Sequence, residues 1–321
     1  MQDVCLFAHF DKDDKVDDYV LRYLAQLRQS NFSIVFISAA NLPAAQTARL
    51  QGACCDVILR DNAGLDFASW SVGFAKHAAA IGGRLLLAND SVYGPIGGLH
   101  GALDRLTRAS ADFYGMVESV EIAPHLQSWF VLLEPQVVRS GAFGAILAQP
   151  FAVMTRQQIV QNGEVGLSRR LMQAGFHYRA LHHNGRSGLP ARHDANAMLL
   201  YWRELLLEEK IPFVKIELVR DNPLGLDDTG QILREVERID PEICALIKSH
   251  LERTAAGGPP RPRHAPIACY RYALMRRYDR SRREPRRIAA AVARIQLEIL
   301  AVPVAPWRRL KGLLGPGRSN A

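Results

Sequence analysis

Short apolar runs recur through the first ninety residues, and each gives way to a polar segment. Val4–Ala8 reads as a buried strand, Ile34–Ile37 as a second, Asp56–Arg60 as a third, and Arg84–Ala88, with its run of leucines, as a fourth. Between them Val16, Val20, Tyr23, Leu24 and Leu27 fall at helical spacing, and Phe67–Ile81 reads as another helix. Asp13, Asp14, Asp17 and Asp18 crowd the start of the first helix, where its dipole favours acidic side chains. Strands separated by helical stretches predict an α/β fold with a mostly parallel sheet covered on both faces.

The rhythm then changes. Asp112–Glu118 and Ser128–Leu133 read as strands close enough to pair, which predicts a mixed portion of the sheet. Gly141–Leu147 and Val165–Ala174 read as helices, His177–Leu181 as a short strand, and Ala197–Glu209 as a helix. Pro212–Val219 resumes an extended or short helical pattern, and Glu235–Leu251 closes the body as one helix. Gly and Pro at 257–260 defeat both helix and strand. The expected organisation is a body over 1–254, a Gly/Pro linker over 255–266 and a basic amphipathic, helical tail over 267–321.

Charge supports that division. The chain carries 40 basic and 32 acidic residues, a net of +8. Residues 256–321 hold 15 Arg or Lys against Asp279, Glu284 and Glu298, so the body is mildly acidic and the tail strongly basic. Such asymmetry points to an anionic partner for the tail, a membrane surface or a nucleic acid. Five cysteines with no CxxC spacing argue against a disulfide scaffold or a cysteine zinc site and make a reducing cytoplasm the expected compartment. The first residues lack the basic-then-apolar order of a signal peptide, and no apolar run reaches the roughly 20 residues that span a bilayer.

In open α/β sheets ligands bind beyond the carboxyl ends of the strands. Three polar segments fall there: His9-Phe10-Asp11, Arg60-Asp61-Asn62-Ala63-Gly64-Leu65-Asp66 and Asn89-Asp90-Ser91-Val92-Tyr93-Gly94-Pro95. The last suits a hydrated divalent cation, or a ribose and diphosphate, or an Asx turn capping its own backbone. Asp66 reads as a ligand for a bound molecule or as the N-cap of the helix near Phe67. Glu164, in Gly163-Glu164-Val165-Gly166-Leu167-Ser168, reads as a first-turn acid or as a general base. His125-Leu126-Gln127-Ser128-Trp129 suits sugar stacking and hydroxyl bonding, or an ordinary lead into a strand. His182, His183, His193 and Asp194 suggest metal chemistry, but their spacing fits no zinc signature and a solvated loop is the simpler reading. GxGxxG, GxxxxGK[ST] and GxSxG are all absent, which argues against an ordinary dinucleotide site, a P-loop ATPase and an α/β-hydrolase elbow.

These segments, in this order, resemble the rhamnan synthesis protein F family of bacterial polysaccharide glycosyltransferases. The likeness covers about residues 4–225. It is carried by His9-Phe10-Asp11, Asp18-Tyr19-Val20, the runs Arg60–Trp70 and Asn89–Pro95, Asp112-Phe113-Tyr114-Gly115, His125–Phe130, Tyr201–Leu205, Pro212–Lys215 and Arg220-Asp221-Asn222-Pro223. The resemblance implies a GT-A-like single nucleotide-sugar-binding domain. His9, Asn62, Gly64, Asp66, Asn89, Asp90, Ser91, Lys215 and Arg220 would line the donor pocket. His125, Gln127, Ser128 and Trp129 would face acceptor or sugar, and Glu164 would be the base of an inverting transfer with Asp90 as the second catalytic group. Asn89-Asp90-Ser91 occupies the place of an Asp-x-Asp motif but supplies a single carboxylate. Asp90 is then the metal ligand if a divalent cation, Mg²⁺ or Mn²⁺, takes part; otherwise Lys215 or Arg220 would stabilise the departing diphosphate.

The tail adds a location. Arg276, Arg277, Arg280, Arg282, Arg283, Arg286 and Arg287 precede Ile288, Val292, Ile295, Ile299 and Val302 at helical spacing, and Trp307-Arg308-Arg309-Leu310 follows. Basic residues reaching lipid phosphates, with Trp and Leu at the boundary, suit an interfacial anchor at the inner face of the cell membrane. A nucleic-acid partner is the weaker alternative because the body is acidic. The expectation is a cytoplasmic, peripheral hexosyltransferase, with rhamnosyl transfer as the specific case, extending a polysaccharide or lipid-linked glycan. The alternative is a non-catalytic nucleotide-sugar or glycan-binding subunit of a polysaccharide assembly complex.

Overall fold

The computed structural model describes residues 2–183, 196–226 and 229–254. The linker and tail, and with them the expected amphipathic anchor, lie outside the described residues, as do His193 and Asp194. Among the described residues no helix is long and apolar enough to cross a membrane.

The parallel half of the sheet is built from β1 (Asp3–His9), β2 (Phe32–Ser38), β3 (Asp56–Leu59) and β4 (Leu85–Asn89) in the order β3-β2-β1-β4. Nearly every residue of β1, β2 and β4 is buried, as strands covered on both faces require. The register brings their carboxyl ends level: His9 pairs with Ser38, and Ala8 with Asn89. A small two-residue strand follows, β5 (Val92–Tyr93). The mixed half then comprises β6 (Phe113–Ser119), β7 (His125–Leu126) and β8 (Phe130–Leu133), and β9 (Tyr178–His182) is added later in the chain. β8 runs antiparallel between β4 and β6, while β9 lies parallel to β6 on its other side. Because β8 opposes β4, its start lies beside the end of β4, with Phe130 opposite Ala88. Finally β10 (Val214–Lys215) pairs antiparallel with β5, setting Lys215 opposite Val92.

The expected strands and the helices Gly141–Leu147 and Val165–Gln173 are present within a residue or two. Two long helices are not single. Over 197–209 the chain makes a short helix, Ala197–Leu200, and then a π-helical turn, Glu204–Glu208. The expected closing helix is broken into Ile232–Ile239 and Pro241–Thr254. The break is chemical: Pro241 has no amide hydrogen, and a residue preceding proline avoids helical geometry, as Asp240 does at φ −150 and ψ 87.

The core on one face of the sheet joins Leu6, Ala8 and Leu87 to Trp70 and Phe67 of the helix Leu65–His77. Trp70 is fully buried, and its indole Nε1 donates to the carbonyl of Ala88 at 3.2 Å, one residue before Asn89. Trp70→Phe should therefore remove that bond and leave a small void beside the end of β4. A loss of about 1 kcal/mol is expected for the hydrogen bond alone, measured as a fall in the urea midpoint with an unchanged slope.

Candidate functional site

The strand order reverses between β1 and β4: β2 and β3 lie to one side of β1, and the chain returns on the other. The loops leaving those two strands therefore part and open a crevice at their carboxyl ends. A cavity of about 570 Å³ occupies that crevice. His9 and Asp11 enter it from the end of β1, and Asn89, Asp90 and Ser91 from the end of β4. Gln127, Ser128 and Trp129 reach it because the start of β8 lies beside the end of β4. Lys215 and Arg220 come from β10 and the helix after it, Asp66 from the first turn of Leu65–His77, and Glu164 from the opposite wall.

The run Asn89-Asp90-Ser91 is both an Asx turn and part of the cavity. Asn89 Oδ1 accepts the Ser91 amide at 3.1 Å and the Ser91 hydroxyl at 2.7 Å, while Asn89 Nδ2 donates to Asp66 at 2.7 Å. Asn89 is thus spent on holding its neighbours. Lys215 Nζ donates to Ser91 Oγ at 3.0 Å. Asp90 Oδ2 accepts the backbone amide of Phe10 at 3.0 Å and lies 3.8 Å from His9 Nε2, whose ring bonds Ser38 Oγ at 2.9 Å through Nδ1. Glu164 Oε1 accepts both the amide and the hydroxyl of Ser128, at 3.0 and 3.1 Å. Its second oxygen, Oε2, has no hydrogen-bond partner among the described residues. Glu164 does not open a helix as expected; it ends a π-helical turn, Val160–Glu164, that runs on into Val165–Gln173.

Burial dominates the electrostatics. It raises the Asp90 carboxyl well above the usual carboxylate range, with the charge of Asp66 adding to it. Asp66 is also raised by burial, partly offset by its bond from Asn89. Burial lowers the Lys215 ammonium, against the pull of Glu164 and Asp66, and lowers His9 to about 4, so His9 is neutral at pH 7.

Three expected site residues are not on the cavity. Arg60 explains two of them. Its guanidinium donates to Ser69 Oγ at 2.8 Å and to the carbonyls of Asp61, Ala63 and Leu65 at 2.6–2.7 Å, curling the loop around itself. Asn62 is left exposed at the surface of that curl. Gly64, at φ +77, packs closely: a Cβ there would lie 2.7 Å from the Phe151 backbone. Asp66 is not the N-cap, since Gly64 holds that position without a side-chain bond. The third residue, His125, is buried on β7 opposite Ser119 and donates to the carbonyl of Ala123 at 2.7 Å. Gln127 lines the cavity but has both polar atoms engaged, by Trp129 Nε1 and by Asn196, each at 2.9 Å. His182 and His183 pair with different carboxylates, Glu209 and Glu118, and do not converge on a metal.

Other cavity residues were not expected at the site from the sequence. Asp17, Tyr19, Arg156, Asn196, His250 and Thr254 also line it. Asp17 reads as a helix-start acid, yet its side chain makes no cap bond and instead meets Arg253, 236 residues away in the chain. Nothing local in the sequence signals that pairing. Asp11, Asp17 and His250 bring donor atoms within 4.8 Å of one another, but the Arg253 guanidinium already binds both carboxylates. A larger hollow, about 630 Å³, lies at the amino ends of β1 and β2 beside Cys54 and Cys55. Burial raises both thiols, Cys54 to about 12, so it offers no ready thiolate. The convergent charged groups are in the crevice, and the chemistry is assigned there.

Residues 34–291 match the rhamnan synthesis protein F family. The chain is also similar to Virulence protein VirA of Vibrio anguillarum, 23% identical over 285 residues, which are 77% of this chain and 90% of that protein.

A carboxyl whose pKa is higher in the folded than in the unfolded state binds its proton more tightly when folded. Acid then favours the fold, and ionisation at neutral pH opposes it. Asp90→Asn, which keeps an acceptor for the Phe10 amide, should therefore raise the thermal midpoint at pH 7, by about 2–4 °C for each kcal/mol relieved. The advantage should shrink as pH falls and wild-type Asp90 takes up its proton. Melting curves from pH 4 to 8 check both the sign and the trend. By its matched residues, this chain belongs to the rhamnan synthesis protein F family.

Proposed function

We propose that the protein is a glycosyltransferase that uses a nucleotide-sugar donor in the synthesis of a cell-surface polysaccharide. The observation that carries this reading is a carboxylate, Glu164, held rigidly by Ser128 with one oxygen unspent, facing a crevice that also presents Asp90 and Lys215. The family's name ties its members to rhamnan synthesis, which supports a polysaccharide product and, in this reading, a donor carrying rhamnose or a related sugar.

In the reaction the acceptor hydroxyl attacks the anomeric carbon. Glu164 takes the hydroxyl proton as the new C–O bond forms. The bond from the anomeric carbon to the diphosphate oxygen breaks, and its electron pair leaves with the nucleoside diphosphate. The transition state carries oxocarbenium character, as in glycoside hydrolysis. One-step displacement with a separate base inverts the anomeric centre. Lys215, with its charge disfavoured by burial, gains most from a diphosphate whose negative charge grows as it leaves. Arg220 and Arg156, exposed and on the cavity lining, add positive charge near its mouth.

Asp90 is the group that would hold a divalent cation, because burial and Asp66 make its lone negative charge costly and a cation would offset that. Mg²⁺ or Mn²⁺ bound there would neutralise the diphosphate. Asn89 contributes little as a ligand, its oxygen being taken by Ser91. The basic segment 256–321 would attach the enzyme to the anionic inner face of the cell membrane, where a lipid-linked glycan is within reach. The carboxylates Asp11, Asp17, Asp66, Asp90, Glu164 and Glu217 on the cavity oppose a nucleic-acid ligand. The single carboxylate in the 89–91 run favours one other reading, a donor-binding subunit without transfer activity.

Thermal unfolding of the full chain against nucleotide sugars and nucleoside diphosphates, with and without Mg²⁺ or Mn²⁺, tests the site. A donor at about 100 times its Kd should add about 2.7 kcal/mol. Glu164→Gln should keep that donor shift and lose about 10²–10⁴-fold in kcat. Transfer at the wild-type rate by Glu164→Gln would remove the base from the mechanism. A donor shift with no turnover by wild type on any glycan acceptor would favour the binding subunit.

A further inference from the structure

We propose that Arg253 is a positioning residue for the nucleotide site: by clamping the loop after β1 it fixes the backbone amide that holds Asp90, and so sets ligand affinity without touching the ligand. The affinity half of this inference rests on the reading of the crevice as a nucleotide site; the clamp itself does not.

Arg253 lies one residue from the end of the described body, on the last turn of Pro241–Thr254. Its guanidinium reaches three carboxylates on one short loop near the opposite end of the chain. Nη1 donates to Asp13 at 2.6 Å and to Asp11 Oδ1 at 3.3 Å, Nη2 to Asp11 Oδ2 and to Asp17, and Nε to Asp17 at 3.2 Å. Only a planar fork can meet Asp11 and Asp17 through paired bonds at once. The clamp continues into the loop's backbone, because Asp11 Oδ1 also accepts the amides of Asp13 and Lys15, at 2.9 and 3.3 Å.

Asp11 and Asp17 are themselves poorly exposed, at 10 and 17% of their side-chain surface, and Arg253 is 18% exposed. Three carboxylates on one loop repel one another, and partial burial strengthens the repulsion. Arg253 is the cation that makes their arrangement tenable, and it keeps Asp11 below the usual carboxylate range despite burial. Phe10 precedes Asp11 directly. Its amide donates to Asp90 Oδ2, so a loop that swings away takes with it a hydrogen bond that orients Asp90. The same helix turn lines the cavity through His250 and Thr254, and His250 bonds the Tyr93 hydroxyl through Nδ1 at 2.6 Å.

The test compares full-length wild type, Arg253→Ala and Arg253→Lys by hydrogen–deuterium exchange without ligand. Arg253→Ala should speed exchange of the segment 10–17 by about tenfold or more, with β2 and β4 unchanged. Arg253→Lys should fall between, since it keeps the charge and loses the fork. Asp13→Asn removes one exposed partner and should give a smaller, similarly confined change; it serves where Arg253→Ala does not fold. Exchange in 10–17 at the wild-type rate, or acceleration spread evenly over all segments, overturns the clamp. Titration with UDP, dTDP and GDP in the presence of Mg²⁺ follows. The nucleotide that binds wild type should bind Arg253→Ala about tenfold more weakly, and an equal Kd in the two proteins overturns the positioning role. If none of them binds wild type, the nucleotide reading fails and with it the affinity half, while exchange still decides the clamp.

Discussion

Partly buried negative charge is the constraint around which the crevice is organised. Asp11, Asp17, Asp66, Asp90 and Glu164 all line one cavity in which burial disfavours charge. Each has a different form of relief. Asp11 and Asp17 share the Arg253 guanidinium. Asp66 takes the Asn89 amide, and Glu164 takes two bonds from Ser128. Asp90 has the backbone amides of Phe10 and of its own residue and the neighbourhood of a neutral histidine, and burial still holds it well above the usual carboxylate range. A costly carboxylate therefore sits at the end of the central strand, where an incoming cation or cationic group would offset its charge. A fold selected only for stability would have no reason to keep it there.

The topology makes that concentration unavoidable once the residues are present. Reversal of strand order at β1 and β4 opens the crevice, and the level register of those strands brings His9, Ser38 and Asn89 to one rim. The antiparallel β8 then delivers Ser128 from the opposite chain direction. A purely parallel sheet would have placed the start of β8 at the far edge, and Glu164 would have lost the partner that fixes it. The change of rhythm halfway along the chain is thus what brings Ser128, the partner of Glu164, to the crevice.

How far the sequence could be read depended on whether the relevant partners were local. The parallel strands were legible because burial on both faces leaves an apolar run with few alternatives. Asn89-Asp90-Ser91 was legible as a place: the Asx turn forms and consumes Asn89, and all three residues line the cavity. The Arg60–Asp66 run was legible as a motif, and its residues divide: the arginine folds the loop onto itself, Asp66 reaches the cavity, and Asn62 and Gly64 do not line it. Arg253 was not legible at all, since three aspartates near a helix start have an adequate local explanation in the helix dipole. Its partners lie 236–242 residues away, and pairing at that distance leaves no periodicity to read.

The pairing also changes how the two ends of the body relate. The loop after β1 carries four aspartates within eight residues and bonds Asp90 through its first amide. Left to its own charge it would extend into water. Arg253 is supplied by the helix that immediately precedes the strongly basic segment, so the cation that orders the loop and the cations that follow it belong to one continuous stretch of chain. Paired bonds to Asp11 and Asp17 require a planar fork at a fixed position, which a helix turn provides.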